Sequence, residues 1–305
     1  ETISIMKKTI LITGSNGLLG QKLVDLLSKE SAVNLIATAR GENRLPNRDG
    51  YTYHSLDITD PQAVEDVFAT YKPEIVIHTA AMTNVDTCES DLVGCEKLNV
   101  KAVEYIVAAC SKYDTFLCHL STDFIFDGEA GPYDEEAVPN PISVYGESKL
   151  RAEQIVQASS IRWAIARTVL VFGIVPDMSR TNIILWVKKS LEEGKQINVV
   201  TDQFRTPTLA EDLAIGCWLI AQKEAEGIFN ISGEELLTPY EMAIKTAEFF
   251  HLPKNLIQQA DSSTFSQPAK RPPRTGFILT KAKSVLGYKP RTFSEGIALM
   301  ATQIQ

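Results

Sequence analysis

Three residues have the types and spacing for proton transfer: Thr122, Tyr145 and Lys149. They bracket the stretch STDFIFDGEAGPYDEEAVPNPISVYGESK, residues 121–149. Tyr145 and Lys149 stand at i and i+4, so a helix puts them on one face. A free phenol, with a pKa of about 10, is a poor acid–base catalyst near neutrality. An ammonium one turn away favours the phenolate and lowers that value. The tyrosine can then exchange a proton with a substrate oxygen while hydride moves to or from the carbon. Thr122, at the end of a strand, can donate a hydrogen bond to the same oxygen. Lys149 can also hold nicotinamide ribose hydroxyls. The chemistry implied is nicotinamide-dependent oxidoreduction of a carbonyl or hydroxyl. A Tyr-x-x-x-Lys pair is frequent by chance, so its weight depends on the elements that position it.

The first of these is KKTILITG (7–14), a short apolar run that reads as a buried strand. Gly14, Gly17 and Gly20 follow, and leucines at helical spacing come after them. Strand, glycine turn and helix form the context a dinucleotide fingerprint requires, here as G-x-x-G-x-x-G. Phosphates would rest on the helix N-terminus, where free N–H groups and the dipole favour anions. The next strand, Val33–Ala39, ends at Arg40 rather than at an acid. A guanidinium there suits a 2′-phosphate, with Arg44 assisting. NADP(H) is therefore the favoured cofactor and NAD(H) the second option, since Glu42 can bond a ribose hydroxyl. Asp57 follows the strand Tyr51–Leu56 and is placed to accept from an adenine amine. Asp60 caps a helix that starts at Pro61. Glu74–Ala80 and Thr115–Leu120 read as further strands, and about 90–112 as one long helix with Asn99 on or beside its apolar face. Asn99 needs a polar partner there. Ser143 caps the helix that carries Tyr145 and Lys149. This alternation implies an α/β fold, a Rossmann-type doubly wound parallel sheet with ligands at the strands' carboxyl ends.

Composition excludes several classes. The net charge is −8 over 305 residues, with no basic stripe for nucleic acid. No apolar run reaches the ~18 residues of a membrane span, and ETISIMKKTI lacks an h-region. Met6 reads as the natural start, with residues 1–5 an addition ahead of it. Five cysteines (88, 95, 110, 118, 217), odd in number and without C-x-x-C, read as reduced buried thiols in a cytoplasmic protein. His78 reads as a core histidine, and His119 and His251 have no zinc-like companion, so no metal site is expected.

Taken together, GSNGLLG (14–20), LNV (98–100), STDFIFDG (121–128), GPYDEE (131–136), PNPISVYGESK (139–149), RTVLVFG (167–173) and TDQFRTPTLAEDLA (201–214) resemble the extended short-chain dehydrogenase/reductase superfamily. Within it the chain is similar to the dTDP-4-dehydrorhamnose reductase, or sugar-nucleotide reductase, family over about residues 7–300. The resemblance implies Thr122, Tyr145 and Lys149 as the catalytic set. With the glycine motif, it implies cofactor contacts from Gly14, Asn16, Gly17, Leu18, Leu19, Gly20, Arg40, Asp57, Ile58, Ala80, Ala81 and Asn99, besides Tyr145 and Lys149. Substrate contacts are expected from Thr83, Val85, Thr122, Asp123, Arg205 and Arg271. The implied reaction is NAD(P)H-dependent reduction of a 4-keto group on a 6-deoxy nucleotide-sugar, with a homodimer allowed for. Residues 6–173 are expected to form the dinucleotide-binding domain, with return segments over about 205–232. Residues 174–204 and 233–305 would form a smaller substrate-binding lobe.

The chain departs from the family at two places. Val169 and Leu170 stand where the rhamnose enzymes often have Ser-Trp, and Arg205 replaces the glycine of DQFGxPT. Arg205 reads either as a phosphate contact or as a surface arginine. Arg271 and Arg274, in the proline-broken AKRPPRTGF (269–277), read as diphosphate contacts or as a solvated basic loop. Two other functions stay open. One is a nucleotide-sugar epimerase or dehydratase. The other is a non-catalytic, NADP-binding regulatory subunit.

Overall fold

A computed structural model describes residues 6–178 and 180–304; residues 1–5 lie outside the described residues. The elements run in the order β1 (Lys8–Thr13), α1 (Leu18–Leu27), β2 (Val33–Ala39), β3 (Thr52–Ser55), α2 (Pro61–Tyr71) and β4 (Ile75–His78). Next come α3 (Val85–Ser90), α4 (Leu92–Glu96), a π turn (Lys97–Lys101), α5 (Ala102–Lys112), β5 (Phe116–Thr122) and α6 (Val144–Ala158). Then follow β6 (Trp163–Thr168), β7 (Val171–Phe172), α7 (Ile183–Glu192), β8 (Ile197–Val200), β9 (Thr208–Leu209) and α8 (Ala210–Lys223). The chain closes with β10 (Gly227–Asn230), α9 (Pro239–Phe250), β11 (Ile257–Ala260) and α10 (Phe293–Ala301).

Seven strands form one parallel sheet in the order β10-β6-β5-β4-β1-β2-β3. The strands are continuous apolar runs because both faces are covered. Ile10 and Ile12 of β1 pack with Leu23 and Leu27 of α1 and with Leu213 and Cys217 of α8. Leu11, between them, points the other way, to Val64 and Phe68 of α2 and Ile106 of α5. Chain order reverses between β1 and β4, which opens a crevice at their carboxyl ends. This is the doubly wound fold read from the β-α alternation.

Beyond β7 two smaller cores appear. One joins Ile184, Met242, Ile297 and Met300; the other joins Val187, Leu191, Val199, Ala247 and Ile257 around the β8–β11 pair. They hold α7, α9 and α10 beside the crevice.

The stretch expected as one helix over about 90–112 is interrupted. The π turn at Lys97–Lys101 carries Asn99, whose amide is buried. Asn99 Oδ1 accepts from Met82 N at 2.8 Å, and Nδ2 donates to Met82 O at 3.0 Å and Ser148 Oγ at 3.0 Å. Period counting cannot see this: a wider turn keeps the apolar residues in place while re-aiming one side chain.

Candidate active site

The crevice is a cavity of about 1180 Å³. Gly14, Asn16, Gly17, Leu18, Leu19, Gly20, Arg40, Asp57, Ile58, Ala80 and Ala81 all line one half of it. Asn99 does not: it stands behind the wall, tying the Ala81–Met82 segment to α6. Its amide is committed to Met82 and Ser148.

The cofactor half fits a dinucleotide. No side chain caps α1, so its first amides face the cavity unclaimed. A Cβ on Gly20 would collide with the Gly14 carbonyl, so helix and turn pack backbone to backbone. A Cβ on Gly17 would meet only Gly14 O, at 3.4 Å; the space in front of it is open for a ligand. Asn16 fastens the next loop, donating to Glu42 O (2.9 Å) and accepting from Arg44 N (2.8 Å). Asp57 Oδ1 takes the Thr59 amide (2.9 Å) and hydroxyl (2.7 Å). Those bonds hold its carboxyl below the usual range, against a small opposing effect of burial. Arg40 is exposed on the same rim.

Thr122, Tyr145 and Lys149 line the cavity where its two halves meet. The Ser143 side chain accepts from Gly146 N at 3.0 Å and starts α6 there. Thr122 Oγ1 accepts from Phe124 N (3.1 Å) and donates to Asp123 Oδ1 (3.2 Å). Lys149 Nζ donates to Leu120 O at 2.9 Å. The expected lowering of the Tyr145 pKa by Lys149 is not what the geometry gives. Burial pushes the phenol well above its ordinary value, and a bond with Thr122 and the charge of Arg180 offset this only partly. Burial also brings Lys149 down to about 8, with Glu153 opposing. Desolvation outweighs the pair's mutual effect because both groups are buried.

One turn beyond Lys149, a network emerges that the residue pattern did not reveal. Glu153, fully buried, accepts from Arg167 Nε (3.0 Å) and Nη2 (2.7 Å) and from Ser121 Oγ. A buried carboxylate so paired fixes β5, β6 and α6 together behind Lys149. The available signal was the i, i+4, i+8 ladder Tyr145, Lys149, Glu153 with an arginine in the following strand.

The substrate half contains Thr83, Val85, Asp123, Arg205 and Arg271, as expected, and also Leu170 and Arg180. The arginines are also engaged with groups of the protein itself. Arg205 is 5% exposed, so it is no surface residue. It donates to Phe204 O and Pro272 O, both at 2.8 Å, and faces Asp123 Oδ2 at 4.0 Å. Asp123 also accepts from Thr275 Oγ1 at 2.5 Å. Arg271 forms a fork with Asp86 (3.1 and 2.9 Å). Arg274 donates to Gly131 O at 2.9 Å and covers the Phe204 ring. These charges bind the 269–277 segment to the body of the protein. Leu170, where the family often has tryptophan, is 46% exposed in the cavity with a φ of +37°. Backbone held in that disfavoured region is strained, here at the wall of the cavity.

His78 Nδ1 bonds Thr13 Oγ1 at 2.7 Å, and His78 stacks on buried His119. Burial lowers the His78 pKa to about 3. All five cysteines are buried and free. Among the described residues, no helix is long and apolar enough to cross a membrane, and no cluster of three or more His, Cys, Asp or Glu side chains is arranged for a metal.

A doubly wound sheet, a glycine turn at its switch point and a Thr–Tyr–Lys set over the crevice define the extended short-chain dehydrogenase/reductase class. Comparison with known proteins narrows this. The family model described as the RmlD substrate binding domain matches residues 6–305, and the chain belongs to that family. It superposes on a dTDP-4-dehydrorhamnose reductase from Clostridium acetobutylicum with a TM-score of 0.85, at 28% identity, covering 97% of this chain and 99% of that one. The corresponding Bacillus anthracis enzyme in complex with NADP gives a TM-score of 0.84 at 26% identity, over 98% and 100% of the two chains. Methionine adenosyltransferase 2 subunit beta from Xenopus tropicalis is 31% identical over 263 residues, 85% of this chain and 77% of that protein.

Proposed function

We propose that the protein is an NADPH-dependent reductase of a 4-keto-6-deoxy nucleotide-sugar. The observation that carries this is the complete Thr122, Tyr145 and Lys149 set at the junction of a cofactor half and a substrate half. Relatives named as dTDP-4-dehydrorhamnose reductases, one holding NADP, support it. Arg40, at the end of β2, supports NADP(H) over NAD(H).

The nicotinamide, when bound, supplies the hydride. Tyr145 Oη holds the proton that the keto oxygen must receive. Because burial raises its pKa, the phenol is protonated throughout the neutral range, as a proton donor in a reduction must be. Thr122 can turn its hydroxyl from Asp123 to the same oxygen and stabilise the charge that develops there. Lys149, fixed on Leu120 O and favoured in its charged form by Glu153, would hold the ribose hydroxyls of a bound nicotinamide. The first amides of α1 and the Arg40 guanidinium would hold the phosphates.

The test is consumption of NADPH with dTDP-4-dehydro-6-deoxy-L-mannose and related keto-sugar nucleotides. Turnover that disappears in Tyr145→Phe supports the reading. A wild-type protein inert on the whole panel sinks it.

The Xenopus relative favours a second reading, a binding subunit that lends its fold to another enzyme. An inert protein that co-purifies with a stoichiometric enzyme partner would establish it. An intact proton-donor set inside a large cavity argues for the first.

A further inference from the structure

Three guanidinium groups line the substrate half of the cavity, and their commitments differ. An arginine has five N–H donors and one positive charge. Arg271 spends three hydrogen bonds on Asp86 and Ala269 O, and its charge is balanced by the Asp86 carboxylate. Arg205 donates to two backbone carbonyls and faces the buried carboxylate of Asp123. Arg180 has one side-chain bond, from Nη2 to the neutral hydroxyl of Thr83 at 2.5 Å. Among the described residues no carboxylate lies within 4.0 Å of it. Among the described residues its charge is thus the one guanidinium charge on this wall left without a counter-ion. It also acts on the active-site phenol, though burial has the larger effect there.

A second feature stands close in sequence. Arg180 lies just before α7, and Trp186 lies within the first turns of that helix. Trp186 is 41% exposed and lines the same cavity. Large apolar residues are normally buried, and the packing of α7 uses Ile184, Val187 and Leu191 instead. An indole left open on a cavity wall offers a flat face with the sequence tolerance of stacking. Phe265, also 41% exposed, lines the cavity too.

We infer that Arg180 and Trp186 form the nucleoside-diphosphate subsite, the guanidinium holding the diphosphate and the indole carrying the base. Arg205 and Arg271, the residues that the sequence pattern nominates, are structural ties. The inference rests on the nucleotide-sugar reading given above and adds the residues that grip the nucleotide.

The experiment titrates dTDP into the protein saturated with NADP, followed by calorimetry and by tryptophan fluorescence. Wild type binds dTDP and its fluorescence is quenched. Arg180→Gln weakens binding at least ~10-fold, as expected for lost hydrogen bonds to a charged group. Arg180→Lys, which keeps the charge and loses the fork, falls between. Trp186→Phe binds with little quenching, because Trp163 and Trp218 are packed against the main core and lie outside the cavity. dTDP binding by Arg180→Gln equal to wild type overturns this subsite while leaving the reductase reading intact. A wild type that binds neither dTDP nor other nucleoside diphosphates overturns both.

Discussion

In the cofactor half of the cavity the protein presents backbone at its glycine turn; in the substrate half it presents side chains, most of them apolar, with a few charged groups set among them. The glycine turn, the first amides of α1 and the Ala80–Ala81 edge meet a ligand through main-chain atoms. Across Tyr145, the charged groups of the wall include Asp123, Arg180, Arg205 and Arg271, contributed by segments far apart in the chain. Backbone recognition requires particular residues at fixed local spacing, so it leaves a motif. Side-chain recognition depends on which charges pair with each other, and pairing is a property of the folded chain.

The largest expected effect lies at the boundary between the halves. Tyr145→Phe should lower kcat by ~10³-fold or more while NADPH affinity stays near wild type, measured by nucleotide fluorescence. Loss of affinity in step with kcat would show that the phenol serves the cofactor half rather than the reaction.

Two glycine variants probe the backbone side. Gly20→Ala forces a methyl onto the Gly14 carbonyl and should cost about 1–3 kcal/mol of stability. Gly17→Ala has room within the fold, so its melting temperature should hold while NADPH binding weakens. Equal melting temperatures for the two would break the distinction between packing glycine and ligand-facing glycine.

Arg205→Gly restores the family residue and tests the side-chain side. It removes two bonds to backbone carbonyls and leaves Asp123 without its cation. A loss of about 1–3 kcal/mol in denaturant melts is expected, with dTDP affinity little changed. Weakened dTDP binding at unchanged stability would return Arg205 to the substrate.

Arg40→Ala should raise the Kd for NADPH about tenfold and leave that for NADH alone, as loss of one charged contact predicts. Equal loss for both would place Arg40 on a group the two cofactors share.

The smallest effect is on pH. Burial holds Lys149 near 8 in the folded chain, against 10.5 in an unfolded one. Between those values the unfolded chain binds more protons, so stability rises with pH across that window and is lost again as pH falls through about 8. The ammonium disappears over the same range, so kcat/KM should decline as stability grows. Lys149→Met should flatten this rise in stability. Parallel rather than opposed slopes would show that the ammonium is not needed for turnover.

The fold was legible because alternation, glycine and proline punctuation and helix caps are local. Ser143 and Asp60 both cap the helices their types and positions suggested. The glycine-turn residues, Tyr145 and Lys149 line the cavity for the same reason. Three things were not legible. The π turn at Asn99 changes a helix without changing its apolar pattern. The commitments of Arg205 and Arg271 depend on Asp123 and Asp86, which lie 82 and 185 residues away along the chain. Burial of both Tyr145 and Lys149 reversed an electrostatic argument that spacing alone supported.

The π turn has one more consequence. A π turn holds one residue more than an α turn, and each residue of an α-helix advances about 100° around the axis. Residues 97–101 therefore amount to a single-residue insertion within a helical run. Removing one residue from this span would let α4 and α5 join as a regular helix. Asn99 would then be turned off Met82 and Ser148, freeing the loop that forms one side of the cavity. A one-residue gap opposite residues 97–101 in an aligned relative would mark a chain that keeps this fold and has given up its clamp on the active-site wall.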